Sequence, residues 1–203
     1  MKTIFKKKLS SYVYIFCLGI LSSFSLPPYN FFLINFFTFT ALFVFLIKQK
    51  NNLNKVEYFL NGWMFGFGYF TSSLYWITIS LTFDQTFRIL IPFAFLLIPL
   101  FLAVFYGLAT YVLYYFKKLN SISLILAFSV TFSISEFLRG NILSGFPWNL
   151  ISFSFSEFLP LLQILSVIGT YSFNLFCLTL FVLPSIFFLK KNKHEIYFVV
   201  FFG

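Results

Sequence analysis

The feature that most constrains this chain is a series of apolar segments of about the length that crosses a lipid bilayer. A membrane-spanning helix needs about 20 predominantly apolar residues. Six segments approach or exceed this length, and they cover approximately residues 11–26, 31–47, 56–81, 89–116, 122–138 and 159–189. A seventh apolar segment begins at about residue 196. The pattern predicts an all-α integral membrane fold: a six-span helical bundle followed by the start of a seventh span.

The composition excludes the other broad classes of protein. Hydrophobic residues make up 60% of the 203 positions and charged residues only 9%, whereas soluble domains average about 45–50% apolar and about 25% charged residues. Two Cys residues are too few for a disulfide-stabilised scaffold. Since no segment is long and polar enough to form a soluble domain, we predict one multi-pass transmembrane domain over residues 1–203.

The seventh segment is too short to cross a membrane within this sequence. As a helix, residues 196–203 extend only about 12 Å, whereas the hydrocarbon core is about 30 Å thick. We therefore expect the chain to be truncated inside a span.

The positions of the basic residues predict the orientation of the bundle. With six spans, 12 of the 14 basic residues fall on one side: Lys2, Lys6, Lys7, Lys8, Lys48, Lys50, Lys55, Lys117, Lys118, Lys190, Lys191 and Lys193. Arg88 and Arg139 fall on the other side. Because Lys and Arg concentrate in cytoplasmic loops, the N-terminus is predicted to be cytoplasmic. The net charge of +9 therefore reflects topology, and we expect no nucleic-acid partner.

The first segment has an alternative interpretation as a signal peptide. A basic N-terminal region precedes a short apolar stretch, and residues 23–25, Ser-Phe-Ser, are an acceptable cleavage site. The retained helix is favoured, because five further spans follow and the charges alternate correctly with this helix in place.

Residues 61–76 form the first cluster of polar, small and aromatic residues. Gly62 and Gly66 make a small-xxx-small pair that favours close helix packing. Tyr75 and Trp76 lie further along, toward the predicted outer face. Their rings could be aromatic anchors at the membrane interface or could line a cavity that faces lipid.

The second cluster covers residues 135–149. Glu136 and Arg139 are spaced i, i+3 at a predicted helix end and share a face. They could form a structural ion pair, or Arg139 could bind a phosphate. Pro147 stiffens the loop that follows, so Trp148 is predicted to lie on a shaped loop at headgroup depth. A generic aromatic anchor is the alternative for Trp148.

The remaining reactive side chains do not indicate catalysis. Cys17 and Cys177 both fall inside apolar segments, and His194 lies among lysines. We interpret the cysteines as buried small hydrophobic residues. The sequence has no metal-ligand spacing, phosphate-binding glycine loop or nucleophile elbow, so we expect neither a metal nor a cofactor. From these residues alone we predict an aromatic cavity that faces lipid, without a complete catalytic constellation.

Several motifs nevertheless resemble the N-terminal part of apolipoprotein N-acyltransferases. The similarity covers nearly all of the chain, and it lies in residues 26–29 (Leu-Pro-Pro-Tyr), residues 62–68 with Tyr75-Trp76, residues 136–140 (Glu-Phe-Leu-Arg-Gly) and residues 145–148 (Gly-Phe-Pro-Trp). The last two stretches are the most specific in order and spacing.

The resemblance implies an acyltransferase of the bacterial inner membrane. Such an enzyme transfers an acyl chain from a phospholipid donor to the α-amino group of a diacylglyceryl-cysteine on an apolipoprotein acceptor. The implied mechanism is ping-pong, through a thioester on the Cys of a Glu-Lys-Cys triad in a periplasmic nitrilase-like domain. That domain is expected beyond residue 203 and is missing here, so there is no catalytic residue in this chain. We expect the chain alone, a monomer, to be inactive.

The resemblance also implies roles in substrate binding. Trp148 matches the functional Trp in the loop below the active site of the family. Glu136 and Arg139 would shape the same outer cavity, with Phe146 and Pro147 holding the loop, and Tyr75 and Trp76 lie at the same face. The alternative is a stand-alone membrane module that binds or transports lipid.

Overall fold

The computed structural model describes the backbone of residues 2–142 and 145–189, and the side chains of these residues from residue 8 onward. All regular secondary structure in these ranges is helical. The α-helices are α1 (Lys2–Ser23), α2 (Leu33–Lys48), α3 (Lys55–Ser73), α4 (Tyr75–Ser80), α5 (Ile91–Phe116), α6 (Ser121–Asn141), α7 (Leu159–Leu162), α8 (Leu165–Ile168), α9 (Thr170–Val182) and α10 (Ser185–Leu189). Two short 3₁₀ helices cover Gln85–Leu90 and Ile151–Phe155.

Two helical stretches among the described residues are long and apolar enough to cross a membrane. They are Gln85–Phe116 and Ser121–Asn141, and they coincide with the predicted spans at 89–116 and 122–138. The all-helical prediction is confirmed for the described residues. The count of six spans stays a prediction, and the segment from residue 196 lies outside the described residues.

Two predicted spans are interrupted. The segment at 56–81 divides at Leu74, where α3 ends and α4 begins. The residues before the break, 71–73, are Thr-Ser-Ser, which have lower helix propensities than Ala or Leu. The segment at 159–189 consists of α7 to α10, with breaks at Gly169, whose φ is +77°, and at Pro184, which has no N–H to donate.

Helix α3 packs most extensively against α5 and α1. A Cβ on Gly62 would lie 2.1 Å from Thr110 Oγ1 on α5, and one on Gly68 would lie 2.2 Å from the Phe16 carbonyl oxygen on α1. A Cβ on Gly66 would lie 3.0 Å from Tyr106 Cβ on α5. The packing interpretation of Gly62 and Gly66 is confirmed, since only residues without side chains allow such close approach.

The outer face of α5 is strongly apolar. Phe93, Leu97 and Phe101 are each more than half exposed, and Leu108 and Val112 on the same helix are also exposed. Soluble proteins rarely leave large contiguous apolar patches in water. The surface of α5 therefore supports an association of this chain with membranes.

Several lysines meet at one end of the bundle. Lys50 Nζ donates to the carbonyl oxygen of Lys117 at 3.3 Å, and Lys117 Nζ donates to that of Lys50 at 3.2 Å. Lys8 Nζ lies 2.5 Å from Glu57 Oε1 at the start of α3, and this hydrogen bond raises the pKa of Lys8. These contacts agree with the predicted grouping of the lysines, while Lys190, Lys191 and Lys193 lie outside the described residues.

Candidate functional site

The centre of the candidate site is a buried ion pair near the end of α6. Glu136 and Arg139 are both fully buried, and Glu136 Oε1 lies 3.7 Å from Arg139 Nη2. The Glu136 carboxylate also accepts hydrogen bonds from the Tyr106 hydroxyl of α5, at 2.7 Å, and from the Asn174 amide of α9. The predicted i, i+3 pair thus forms, and it connects three helices.

The guanidinium of Arg139 holds the loop that follows α6. Its Nη1 donates to the carbonyl oxygens of Phe146 at 2.8 Å and of Trp148 at 2.7 Å. The Phe146 N–H donates back to the Arg139 carbonyl at 2.8 Å. Arg139 also lies over the ring of Phe70, 5.1 Å from its centroid. Within the described part of the chain, Nε and Nη2 of Arg139 have no hydrogen-bond partner.

Glycines allow the chain to turn sharply into this loop. Gly145 has φ +71°, and a Cβ there would lie 2.5 Å from the Gly140 carbonyl oxygen. A side chain at Gly140 would in turn meet the Tyr171 hydroxyl, at 2.1 Å. Gly145 is therefore required by both its backbone conformation and its close contact.

The far end of the loop is attached to α3. Asn149 has φ +56°, and its side-chain amide donates to the Ser73 carbonyl at 3.2 Å. The Tyr69 hydroxyl donates to the Asn149 carbonyl at 3.0 Å. Residues 145–149, which we name the Trp148 loop, are thus fixed at both ends by buried side chains.

The Trp148 loop leaves its aromatic residue accessible. Trp148 is 57% exposed, although its own carbonyl is bound by the buried Arg139. Pro147 beside it is also exposed, and Phe146 is partly buried. A large ring on a rigid support loses little conformational freedom when it contacts a ligand.

Two cavities flank the loop. The first, the α5 groove, has a volume of about 370 Å³ and lies between α5 and the end of α6. Its walls are mainly apolar, and its lining residues are Leu97, Ile98, Phe101, Leu102, Phe105, Arg139, Ile142, Gly145 and Phe146. Two of the predicted site residues, Arg139 and Phe146, are therefore part of one groove.

The second, the Pro27 cavity, contains the other predicted aromatic pair. It has a volume of about 340 Å³, and Pro27, Pro28, Tyr75, Trp76 and Asn149 are among its lining residues. Tyr75 and Trp76 are each about half exposed. The sequence motifs at 26–29 and 75–76 thus meet here, on the side of the Trp148 loop where Asn149 lies.

Four further residues complete the site, and none of them is among the site residues predicted from the sequence. Tyr106 and Asn174 bind Glu136, and Tyr69 and Asn149 fix the loop. The Asn174 amide forms a hydrogen bond between helices, from α9 to Glu136 of α6. For Tyr69, Tyr106 and Asn174, the signal that could identify them is a polar side chain inside an apolar span, whereas Asn149 lies in the loop outside the predicted spans.

The arrangement can hold an apolar chain beside a polar group, but among the residues that the structure describes it presents no cysteine nucleophile. Cys177 is buried in α9 as predicted, whereas the prediction is wrong for Cys17, which lies exposed on α1. Among the residues that the structure describes, no three His, Cys, Asp or Glu side chains lie close enough to share a metal ion. Glu136 is committed to Arg139, Tyr106 and Asn174.

Comparison with known proteins gives a consistent result. Residues 18–183 match the family described as "Apolipoprotein N-acyltransferase N-terminal domain". Proteins named apolipoprotein N-acyltransferase are similar in Rhodopseudomonas palustris (36% identity, 83% of this chain, 32% of the relative), Rhizobium etli (34%, 83% and 33%) and Brucella melitensis (34%, 84% and 33%). The chain thus spans about a third of the length of the curated relatives it matches.

Proposed function

Because this chain belongs to the apolipoprotein N-acyltransferase family, whose N-terminal domain matches residues 18–183, we propose that it forms the lipid-binding membrane part of an enzyme that matures lipoproteins. The enzyme would transfer an acyl chain from a phospholipid to the α-amino group of an apolipoprotein's diacylglyceryl-cysteine. The observation that carries the proposal is the exposed Trp148 ring on a loop that the buried Arg139 holds beside the α5 groove.

The α5 groove is the proposed place for an acyl chain of the donor. Its walls are mainly Leu, Ile and Phe side chains, and burial of apolar surface yields about 25 cal/mol per Å². Trp148 would contact the acyl chain or the lipid near the membrane surface, where the amphipathic indole is favoured. The Pro27 cavity, with Tyr75 and Trp76, would accommodate a second hydrocarbon chain at the same level.

The chemistry would be carried by residues outside this chain. In the two-step reaction that we propose, a Cys thiolate attacks the ester carbon of the phospholipid and releases a lysophospholipid. The amine of the apolipoprotein then attacks the thioester, which forms the amide and returns the thiol. A Glu-Lys-Cys triad in a nitrilase-like domain would supply these groups, and this chain by itself would not transfer acyl groups.

We further propose six membrane spans, a cytoplasmic N-terminus and residence in the bacterial inner membrane. The grouping of lysines at one end of the bundle supports this orientation, since cytoplasmic loops are rich in Lys and Arg. The Trp148 loop would then face the periplasm.

A chimeric enzyme tests the function. Residues 1–183 would replace the matching N-terminal third of the Rhodopseudomonas palustris relative, and acyl transfer from a phospholipid to a diacylated lipopeptide would be followed by mass spectrometry. We expect the chimera to form the N-acylated product. If the unaltered relative is active and a membrane-inserted, folded chimera is not, this domain does not serve acyl transfer. A stand-alone lipid module would then be the better interpretation.

A further inference from the structure

A third cavity, with several polar side chains in its lining, lies at the lysine-rich end of the bundle. It has a volume of about 440 Å³, and its polar lining includes Lys8, Tyr12, Gln49, Asn52, Glu57 and Asn61. We name it the Lys8 cavity. Glu57 and Ser73 lie at opposite ends of α3, whose 19 residues extend about 28 Å. The cavity is therefore separate from the Trp148 loop, which binds Ser73 through Asn149.

The ionic groups of the Lys8 cavity are arranged as a pair with unused hydrogen-bonding capacity. Glu57 accepts from Lys8 Nζ through Oε1 and from the Asn54 N–H through Oε2. Each carboxylate oxygen can accept a further hydrogen bond. An ammonium has three donors, and the Lys8 side chain is 58% exposed, so this cation can also bind an anion.

Asn61 adds an unsatisfied acceptor to the same cavity. It is only 2% exposed, and its Nδ2 donates to the Glu57 carbonyl at 2.6 Å. Its Oδ1 has no hydrogen-bond partner in the part of the chain that the structure describes. A buried amide oxygen without a donor costs roughly 1–3 kcal/mol, so a ligand that donates a hydrogen bond would be favoured here.

The two sets of groups together define the chemistry of a ligand. Lys8 favours an anionic oxygen, while Asn61 and Glu57 favour hydrogen-bond donors. The cavity is also lined by Phe45 and Leu53, which can contact hydrocarbon. Its position beside the Lys50–Lys117 contact is one where phospholipid headgroups lie in a positively charged interface.

We propose that the Lys8 cavity binds a phosphodiester headgroup that carries a hydroxyl or ammonium donor. Its phosphate contacts Lys8, and its donor contacts Asn61 and Glu57. The glycerophosphoglycerol and glycerophosphoethanolamine groups, as lipids or as soluble compounds, have this chemistry. This binding is independent of acyl transfer, because it uses the opposite end of the bundle.

Native mass spectrometry of the 203-residue chain in detergent tests the proposal. The probes are phosphatidylglycerol, phosphatidylethanolamine and phosphatidylcholine with identical acyl chains. The choline group has no N–H or O–H donor, so we expect the first two lipids to bind about fivefold or more tightly than the third. Equal affinity for all three lipids would overturn the proposal.

Variants locate the binding. Lys8→Gln should weaken phosphatidylglycerol binding about tenfold through loss of a charge-assisted hydrogen bond. Lys118→Gln, which removes an exposed lysine outside the cavity, should leave it unchanged. Asn61→Leu should remove the preference for phosphatidylglycerol and phosphatidylethanolamine over phosphatidylcholine. Because Lys8 is exposed, Lys8→Gln is informative even if Asn61→Leu does not fold. Equal effects of Lys8→Gln and Lys118→Gln would contradict a site in this cavity.

Soluble glycerophosphoglycerol distinguishes the two sources of the ligand. If it displaces phosphatidylglycerol at similar concentration, the headgroup alone is recognised. If a large excess does not displace the lipid, the ligand is the membrane phospholipid, and Phe45 and Leu53 contribute to its binding.

Discussion

At the scale of single residues, the complete burial of the charged Arg139 side chain costs free energy. Moving an ion from water into a low-dielectric interior costs several kcal/mol. Here Glu136 neutralises the charge, and the carbonyl oxygens of Phe146 and Trp148 accept its hydrogen bonds. Because these carbonyls belong to a loop, the guanidinium fixes where that loop lies. The Glu136–Arg139 ion pair therefore fixes the position of the Trp148 loop.

We predict that Arg139→Met destabilises the bundle strongly. It leaves the Glu136 carboxylate buried without its cation and removes two hydrogen bonds from the loop. The expected loss in the free energy of unfolding is about 3–5 kcal/mol, measured by denaturant titration in mixed micelles.

The double variant Glu136→Gln with Arg139→Met is the matched control. It removes both charges, while the introduced amide could still bond to Tyr106 and Asn174, so it should recover part of the lost stability. If the single variant were as stable as the original protein, the ion pair would not hold the loop.

Some of these contacts of Glu136 and Arg139 can be predicted from the sequence. The i, i+3 spacing places Glu136 and Arg139 on one face, and the pair forms as expected. The carbonyl partners of Arg139 are not predictable from side-chain spacing, since they are backbone atoms positioned by the turn at Gly145. The substrate-binding roles of these residues and of Phe146, Pro147, Trp148, Tyr75 and Trp76 stay predictions.

At the scale of helices, α3 is packed between two neighbours through glycines on different faces. Gly62 and Gly66 contact α5, and Gly68 contacts α1, where Gly19 makes the reciprocal close approach to Phe65. In lipid the hydrophobic effect does not drive helices together, so such close packing supplies much of the association energy. This arrangement positions Tyr69 to bind the Trp148 loop.

Substitutions at two of these glycines should differ in effect. A Cβ on Gly68 would lie 2.2 Å from the backbone oxygen of Phe16, which can move only with α1. Gly68→Ala should therefore reduce the free energy of unfolding by about 1–3 kcal/mol. Thermal unfolding in detergent would report the change.

Gly66→Ala provides the comparison on the same helix. Its nearest atoms, on Tyr106 and Ala103, lie at 3.0–3.3 Å, so small shifts can accommodate the methyl group. We expect a smaller loss than for Gly68→Ala, and a larger loss at Gly66 would refute the close α1–α3 contact.

The interruptions of the helices were less predictable than the helices themselves. Hydropathy identifies 159–189 as one apolar stretch, but apolarity does not report backbone geometry. Gly169 and Pro184 are the local signals of the breaks around α9, and single Gly or Pro residues also occur inside continuous membrane helices. Pro99 illustrates this within α5.

At the scale of the whole molecule, the bundle has two chemically different ends. Lys8, Lys50 and Lys117 lie at one end. The Trp148 loop, with its buried ion pair, lies at the other. The charge distribution along the sequence predicted this separation, because loops alternate between the two ends of a helical bundle.

Labelling of introduced cysteines tests the membrane orientation. In intact cells, a membrane-impermeant maleimide should react with Phe83→Cys, an exposed position near the predicted outer face. It should react with Lys118→Cys only after the inner membrane is permeabilised. Both variants would be made in a Cys17→Ser, Cys177→Ala background. The opposite pattern would invert the orientation, and labelling of both sites in intact cells would exclude the proposed span count.

The assembly of the site depends on contacts that no single segment reveals. Residues of α3, α5, α6 and α9 meet around Glu136 and the Trp148 loop, and the hydrogen-bonded pairs there are up to 80 positions apart in the sequence. The motif residues could be identified beforehand through their similarity to a known family. Their partners Tyr69 and Tyr106 could not, because only the packing of the helices brings them together.

The most direct test of the account is the acyl-transfer rate of the chimeric enzyme carrying Trp148→Ala. Tyr115→Ala, which removes an exposed ring near the lysine-rich end, is the matched control, and circular dichroism would verify that both variants fold. If Trp148 contacts the lipid substrate, we expect kcat/KM to fall about tenfold or more, which corresponds to about 1.4 kcal/mol. An unchanged rate in a folded Trp148→Ala enzyme would contradict the proposed role of the loop.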